Sequence, residues 1–166
     1  RGGIRQDSRF DYEWDGRDRL MRLTSRDGLR KMEFAYDGYG RRVRKVVSDR
    51  ADAGAQWLET ARHEFYYDGW TLICENIQRS GLEPAVREYL WDASMGLPVL
   101  LAFSEARGSV TSVHVVVTDR QGSVGKLVNA ADGLVVAEYG YSPFGVLISE
   151  VVVPGTPSCS FRFHGK

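Results

Sequence analysis

The sequence predicts an all-β fold, an antiparallel sheet of consecutive hairpins, and three observations support this prediction. Apolar and polar residues alternate over short runs such as 31–36 and 86–91, which is the period of a strand with one buried face. β-branched residues fill the runs 110–118 and 146–153, as strand propensity favours. Asp-Gly pairs separate many of these runs, and this dipeptide supplies the positive φ angles of tight hairpin turns.

Each element rests on its own pattern. In the run 31–36, Met32, Phe34 and Tyr36 share one parity. Residues 49–63 carry alanines at helix-like spacing, but Gly54 and the direct continuation into a run of aromatic residues favour a loop followed by a strand. The later runs have these same-parity sets: Arg87, Tyr89 and Trp91; Val135, Ala137, Tyr139 and Tyr141; Phe161 and Phe163.

The composition indicates one globular domain or part of a larger one. The chain has 166 residues, of which 43% are hydrophobic, enough to bury a core and too many for a disordered tail. Basic residues number 22 and acidic residues 22, so charge gives no reason to expect a nucleic-acid or anionic-membrane partner. No apolar run approaches the ~20 residues that span a bilayer, and no signal peptide is visible.

Two further features concern the cysteines and the chain ends. Cys74 and Cys159 do not have the spacing of a metal site and are expected to be reduced thiols. The chain begins with Arg-Gly-Gly and stops directly after a strand-like run. We therefore interpret it as a fragment of a longer polypeptide.

A repeated unit, an aromatic residue followed by Asp, recurs along the chain at intervals that fit one β-hairpin each. We expect the aromatic residue to cover one face of its hairpin, the Asp side chain to cap the turn, and the Gly to take the left-handed conformation. An Arg two to four residues later is expected to reach back to the Asp. A single hairpin cannot bury its apolar face, so consecutive hairpins are expected to pair edge to edge.

The copies of this repeat differ in how closely they follow the pattern. Their anchor residues are Asp15, Asp37, Asp68, Asp92, Asp119 and Ser142, the last two in looser copies. The residues assigned to the repeat are Tyr12, Trp14, Asp15, Gly16, Tyr36, Asp37, Gly38, Gly40, Arg41, Tyr67, Asp68, Gly69, Trp91, Asp92, Asp119, Gly122, Asp132, Gly133, Tyr141, Pro143, Phe144 and Gly145.

These motifs resemble a known family. The pattern Tyr36-Asp37-Gly38-Tyr39-Gly40-Arg41 resembles the YD repeat of Rhs proteins, and the stretches 117–124 and 131–145 resemble the Rhs-repeat-associated core. The resemblance covers nearly the whole chain, with residues 1–110 as repeat hairpins and 111–166 as the truncated start of the core, in one continuous sheet. The chain departs from the family pattern at four positions: Ser142 stands where the family has Asp, Asp18 where it has Gly, and Trp14 and Trp91 where it has Tyr.

The resemblance implies a structural role. Rhs proteins, the B and C components of insecticidal Tc toxin complexes and the barrel region of teneurins wind a long curved antiparallel ribbon into a hollow spiral shell. In the bacterial toxins this shell encloses a C-terminal toxin domain. The family's self-cleaving aspartyl site and the toxin follow the core segment, so both are expected beyond Lys166. The expected partners are the rest of the shell and the enclosed toxin domain, and the expected location is secreted or at the cell surface.

The same residues support other functions less well than they support a structural role. We expect no catalytic, cofactor-binding or metal-binding residue, because 122–126 lacks the first Gly and the Ser or Thr of a phosphate-binding loop, and the three His residues lack ligand spacing. One alternative is a carbohydrate-binding or adhesion segment of a cell-surface YD-repeat protein, with glycans held by aromatic residues such as Trp57 and Trp70. Another is a hydrolase that uses paired Asp carboxylates. Unpaired sheet edges also favour self-association.

Overall fold

The computed structural model describes residues 3–94, 98–120 and 122–161. These residues form twelve strands and no helix, so the all-β prediction is confirmed; within the same ranges no helix is long and apolar enough to cross a membrane. The strands are β1 (Phe10–Trp14), β2 (Leu20–Ser25), β3 (Arg30–Tyr36), β4 (Arg42–Asp49), β5 (Leu58–Asp68), β6 (Thr71–Arg79), β7 (Ala85–Asp92), β8 (Val99–Arg107), β9 (Val110–Thr118), β10 (Val124–Asn129), β11 (Val135–Tyr141) and β12 (Leu147–Val152). The strand predicted from Phe161 and Phe163 is wrong at Phe161, which lies in no strand and packs its ring on Tyr89 and Trp91; Phe163 and His164 lie outside the described residues.

The chain divides into two compact units, Arg1–Ala85 and Val86–Lys166. The first contains β1 to β6, and the second contains β8 to β12 with nearly all of β7. Within each unit every strand pairs with the next strand of the chain, and the pairings are antiparallel. The sequence boundary at 110/111 marks a change of repeat type, which this division does not test.

In the first unit, one face of the sheet carries the aromatic residues. Phe34 pairs with Lys45, Lys45 with His63, and His63 with Ile77, so these four side chains lie in one row. Tyr12, Tyr36, Phe65 and Tyr67 share this face, which we call the aromatic face of the first unit. The opposite face is charged, as in the ion pairs of one arginine, Arg22, with Glu13 and Glu33. The predicted loop before β5 is confirmed, since the strand begins at Leu58.

The second unit has its own core, on one face of its strands. Phe103 and Leu127 are 1% and 0% exposed; Phe103 pairs with His114, and Leu127 pairs with both Val116 and Ala137. Together with Tyr89 and Tyr139, these residues form the aromatic face of the second unit. Alternation of period two places successive side chains on opposite faces, and this face contains Phe103 and Leu127, two of the least exposed side chains among the described residues.

Candidate functional site

Four of the hairpin turns share one backbone geometry: residues 15–19, 37–41, 119–123 and 142–146. In each turn the N–H of the anchor residue donates to the carbonyl of the fourth residue after it, over 2.8 to 3.0 Å. The N–H of the third residue donates back to the anchor carbonyl, over 2.9 to 3.1 Å. That third residue has a positive φ in every case: Asp18 (58°), Gly40 (87°), Gly122 (81°) and Gly145 (81°).

The anchor side chain completes each turn. The Oδ1 atom of Asp37 accepts hydrogen bonds from the N–H groups of Tyr39 and Arg41 at 2.9 Å, and its Oδ2 accepts one from Arg41 Nε at 2.7 Å. Asp15 makes the same three contacts with Arg17 and Arg19. The N–H of Arg19, followed by its guanidinium, lowers the pKa of Asp15 from its ordinary value to about 2. The Asp carboxylate is therefore a turn cap, as the sequence predicts.

The looser copies keep the same geometry. The N–H of Ser123 donates to Asp119 Oδ1 at 2.9 Å. Ser142 stands where the family has Asp, and its hydroxyl oxygen accepts the N–H of Val146 at 3.1 Å. Pro143 and Phe144 occupy the middle of this turn, where the fixed φ of proline suits the position after the anchor. One acceptor atom at the anchor is therefore enough to close this turn.

The expectation that the glycine of each Asp-Gly pair takes the left-handed conformation is wrong for Gly16 and Gly38. Positive φ angles occur at Gly69 (54°) and Gly133 (73°), but not at these two positions. The reason is turn length: Asp68 pairs directly with Thr71, which puts Gly69 in a tight two-residue turn, whereas the longer turns need the left-handed residue three positions after the anchor. In the first turn that residue is Asp18, which therefore takes a conformation that L side chains rarely adopt.

Gly40→Val is expected to lower the free energy of unfolding by about 1–3 kcal/mol, the cost of holding a non-glycine residue in an unfavourable backbone region. Gly38→Val is the matched control, because neither glycine has an atom within 4 Å of an added Cβ and only Gly40 has a positive φ. Urea unfolding followed by tryptophan fluorescence measures both variants. Equal destabilisation by the two changes would contradict this account of the turn.

A tyrosine links each of three turns to the turn of the preceding repeat. The hydroxyl groups of Tyr36, Tyr67 and Tyr141 donate to the carbonyls of Leu20, Arg42 and Val124 at 2.8, 2.9 and 3.0 Å. Each tyrosine directly precedes an anchor, and each acceptor directly follows the preceding five-residue turn. The sequence predicted that the aromatic residue of each repeat covers a face of its hairpin; it did not predict the hydrogen bond from the tyrosine hydroxyl to the preceding turn.

The turn arginines add a second link in the first unit. The guanidinium of Arg19 lies over the ring of Tyr36, 5.0 Å from its centre, and donates to the carbonyl of Asp37 at 3.3 Å. Arg41 repeats this arrangement one hairpin later, 5.3 Å from the ring centre of Tyr67 and bonded to the carbonyl of Gly69. Each arginine thus joins its own Asp to the following turn.

The remaining repeat residues have varied surroundings. Tyr12 and Trp14 stack at 6.4 Å, and their polar atoms bond to Asp7 and the carbonyl of Ile4. Trp91 packs in the second unit, and the Oδ1 atom of Asp92 accepts the N–H of Ser94 at 2.8 Å; the rest of that turn lies outside the described residues. Asp132 Oδ1 accepts the N–H of Leu134 at 2.9 Å.

A buried polar cluster lies on the aromatic face of the second unit; we call Arg87, Glu105, His114 and Phe103 the Arg87 cluster. The Arg87 and Glu105 side chains are ion-paired and nearly inaccessible, and Arg107 Nη2 donates to Glu105 at 3.0 Å. Burial opposes ionisation, yet Arg87 and Arg107 hold the pKa of Glu105 below its ordinary value. No sequence motif had indicated a role for these charged residues.

The ring of Phe103 contacts two other members of this cluster, the guanidinium of Arg87 and the imidazole of His114. The Arg87 guanidinium is 5.3 Å from its centre, and the His114 ring stacks on it at 5.1 Å. His114 Nδ1 is buried and has no hydrogen-bond partner among the described residues. Burial lowers the pKa of His114 below its ordinary value of 6.5, Arg87 adds to this, and Glu105 opposes it.

The low pKa of His114 predicts loss of stability in mild acid. Above pH 6.5 the imidazole is neutral in both the folded and unfolded chain; as the pH falls below 6.5, the unfolded chain binds the proton first and is favoured. The free energy of unfolding is therefore expected to decrease from pH 7.5 to pH 5.5, and to decrease less in His114→Asn. Urea titrations at the two pH values measure this, and equal decreases in both proteins would contradict it.

The first unit has a smaller polar pair, in which His63 Nδ1 lies 2.6 Å from Glu75 Oε1. Nearby, burial lowers the pKa of Lys45. No group of three or more His, Cys, Asp or Glu side chains that could hold a metal ion occurs in the described parts of the chain. The pair is therefore best described as a hydrogen-bonded part of the aromatic face.

The comparisons with known proteins find similarity in structure. No family model matches the sequence, and no curated protein does. A crystal structure of TcdB2-TccC3 matches 96% of this chain with a TM-score of 0.70 and 18% identity, and a TcdB2-TccC3-TEV crystal structure matches 96% with a TM-score of 0.73 and 20% identity. The chain has the fold of Tc toxin components. A Photorhabdus luminescens Tc holotoxin pore with a TccC3 substitution matches 87% of the chain, at a TM-score of 0.66 and 19% identity.

The chain spans only 7 to 8% of the length of these Tc toxin chains. At identities of 18 to 20% the likeness establishes the fold.

Proposed function

We propose that this chain is a wall segment of an Rhs or YD-repeat shell that encloses a C-terminal toxin domain in a secreted bacterial toxin. The observation that carries the proposal is the repeated link between turns: a tyrosine hydroxyl joins three pairs of turns, and a turn arginine also joins the two pairs in the first unit. Such links make each hairpin depend on its neighbour, as expected for a sheet that grows by one hairpin per repeat. The fold of Tc toxin components supports the same role.

The hydrogen bonds of the anchor carboxylates support a structural rather than a catalytic role for these residues. Asp15 and Asp37 each accept hydrogen bonds from their own turn and from its arginine, and the pKa of Asp15 is about 2. A general acid must hold a proton near neutral pH, which this carboxylate does not. In this proposal the segment is not an enzyme and needs no cofactor, and the family's autoprotease site lies beyond Lys166.

Limited proteolysis of the full-length polypeptide that contains this sequence tests the proposal. We expect the region after residue 166 to resist protease in the native protein and to be digested once the shell is opened by a triple variant, Tyr36→Phe, Tyr67→Phe and Tyr141→Phe. Tyr66→Phe, on an exposed tyrosine outside these links, is the control. Digestion of that region at the same rate in all three proteins would overturn enclosure.

Self-association is expected for the isolated segment. β12 pairs with β11 on one side, no described strand pairs with its other side, and all of its residues are exposed. An unpaired apolar edge invites pairing with a second chain. Light scattering should show a mass that rises with concentration, and Ile148→Lys should reduce the rise, whereas Val113→Lys, on an exposed residue of β9, should not. A constant monomer mass would contradict this.

A second candidate function is glycan binding by a cell-surface protein. Trp70 is 73% exposed and lies in the two-residue turn between β5 and β6, where it could stack on a sugar ring. Trp57 is less suitable, because Arg50 lies 4.3 Å from its ring centre and Lys31 5.2 Å. A glycan array probed with the native chain and with Trp70→Ala decides this: binding lost in the variant would favour adhesion, and no binding would remove the alternative.

A further inference from the structure

The segment that follows β12 returns to the aromatic face of the second unit. Residues 158–161, which we call the strap, belong to no strand. The strap is held by side chains of β7: Arg87 Nη1 donates to the carbonyl of Ser158 at 3.0 Å and to the hydroxyl oxygen of Ser160 at 3.2 Å. The strap is therefore recognised by side chains.

Phe161 supplies the apolar part of this contact. Its ring meets Tyr89 edge-on at 5.1 Å and Trp91 edge-on at 4.9 Å between centres. Two such T-shaped contacts are favourable beyond the area they bury. Between the polar and aromatic contacts, Cys159 is 3% exposed, and its Sγ lies 2.8 Å from the carbonyl of Phe161.

Arg87 is preorganised for this role. Glu105 takes one side of its guanidinium, and the ring of Phe103 lies 5.3 Å away, so the remaining Nη1 donor points at the strap. The planar guanidinium of an arginine can donate to a carboxylate and to a backbone carbonyl at the same time. The ammonium group of a lysine cannot place its donors in the same plane and directions. A buried ion pair alone adds little stability. The contacts with the strap indicate a different role for the Arg87–Glu105 pair, which is to hold the guanidinium in position for the strap.

We propose that β7 and its neighbours on the aromatic face form a peptide-docking site whose occupant is the chain's own strap, with Arg87 as the positioning residue and Tyr89 and Trp91 as the receptor for Phe161. The strap opens and closes as a local unit while the sheet stays folded. The proposal stands apart from the enclosure of a toxin, because it depends only on contacts within the second unit.

The reactivity of the Cys159 thiol tests the proposal. In a Cys74→Ser background Cys159 is the only cysteine of the chain, and alkylation by iodoacetamide in native buffer reports opening of the strap. Phe161→Ala is expected to raise the alkylation rate by about 5- to 150-fold, the factor expected from losing two aromatic edge contacts. Phe144→Ala, on a ring that is 92% exposed, is the matched control and should leave the rate unchanged.

Two further measurements separate strap opening from general unfolding. Arg87→Lys keeps the cation beside Glu105 and is expected to raise the rate without a matching fall in the urea midpoint. Ser160→Ala, a milder change, is expected to raise the rate by a smaller factor. Equal rates in Phe161→Ala and Phe144→Ala would overturn the proposal. So would an alkylation rate that rises with urea as steeply as global unfolding does.

Discussion

Glu105→Ala is expected to lower the free energy of unfolding by about 3 kcal/mol, the low end of the range for breaking a buried ion pair. The change leaves the Arg87 guanidinium, which is 3% exposed, without its carboxylate partner. An unpaired buried charge loses its hydration and gains little in return. The hydrogen bonds of Arg87 to the strap remain, which is why the low end of the range is expected.

Denaturant unfolding of the isolated segment measures this effect. Glu138→Ala is the matched control, because Glu138 pairs with Lys126 at 2.8 Å but both side chains are half exposed. Exposed pairs contribute about 0–1 kcal/mol. The double variant Arg87→Met with Glu105→Leu is expected to recover most of the loss, since it removes both charges. A control as damaging as Glu105→Ala would show that burial does not set the cost.

Phe103→Ala is expected to cost about 3–5 kcal/mol, as large-to-small changes at fully buried aromatic residues do. The ring is 1% exposed and contacts Tyr89 and His114, so its removal leaves a cavity under the Arg87 guanidinium as well. The backbone of β8 is held on the β9 side by the sheet ladder, and the site can therefore collapse only in part.

The control for Phe103 is the same substitution at an exposed ring. Phe144→Ala removes a side chain that is 92% exposed and is expected to change the free energy of unfolding by less than about 0.5 kcal/mol. Unfolding in guanidinium chloride, followed by circular dichroism, compares the two. Similar midpoints for both variants would place Phe103 outside the core.

Local patterns were enough to predict the all-β fold, several of its strands and most of the turn chemistry. The cap formed by Asp37 and the return of Arg41 depend on neighbours within five residues, and such contacts can be read from spacing. The position of the left-handed residue depends on turn length. The Asp-Gly pairs therefore predicted a positive φ at Gly16 and Gly38, and this prediction was wrong. A glycine or Asp three positions after the anchor was the better signal.

The Arg87 cluster could not be predicted because its members meet through strand register. Arg87 and Glu105 lie on different strands, and no short-range rule states which residues of two strands face each other. One signal was present: Arg87 shares its parity with Tyr89 and Trp91, which places a charge on the apolar face. A charge at such a position needs a buried partner, but the partner itself becomes visible only in three dimensions.

The linked turns also determine where the chain tolerates change. In the first unit, turns 15–19 and 37–41 have equal lengths and are linked by Tyr36 and Arg19, so an added residue in either turn would disrupt the hydrogen bonds that this turn makes with its neighbour. The loop 50–57, at the opposite edge of the same sheet, lies between strands and is largely exposed. The loop 50–57 can therefore be lengthened without altering the linked turns at the opposite edge, which makes the region around Gly54 the natural place to insert a foreign peptide.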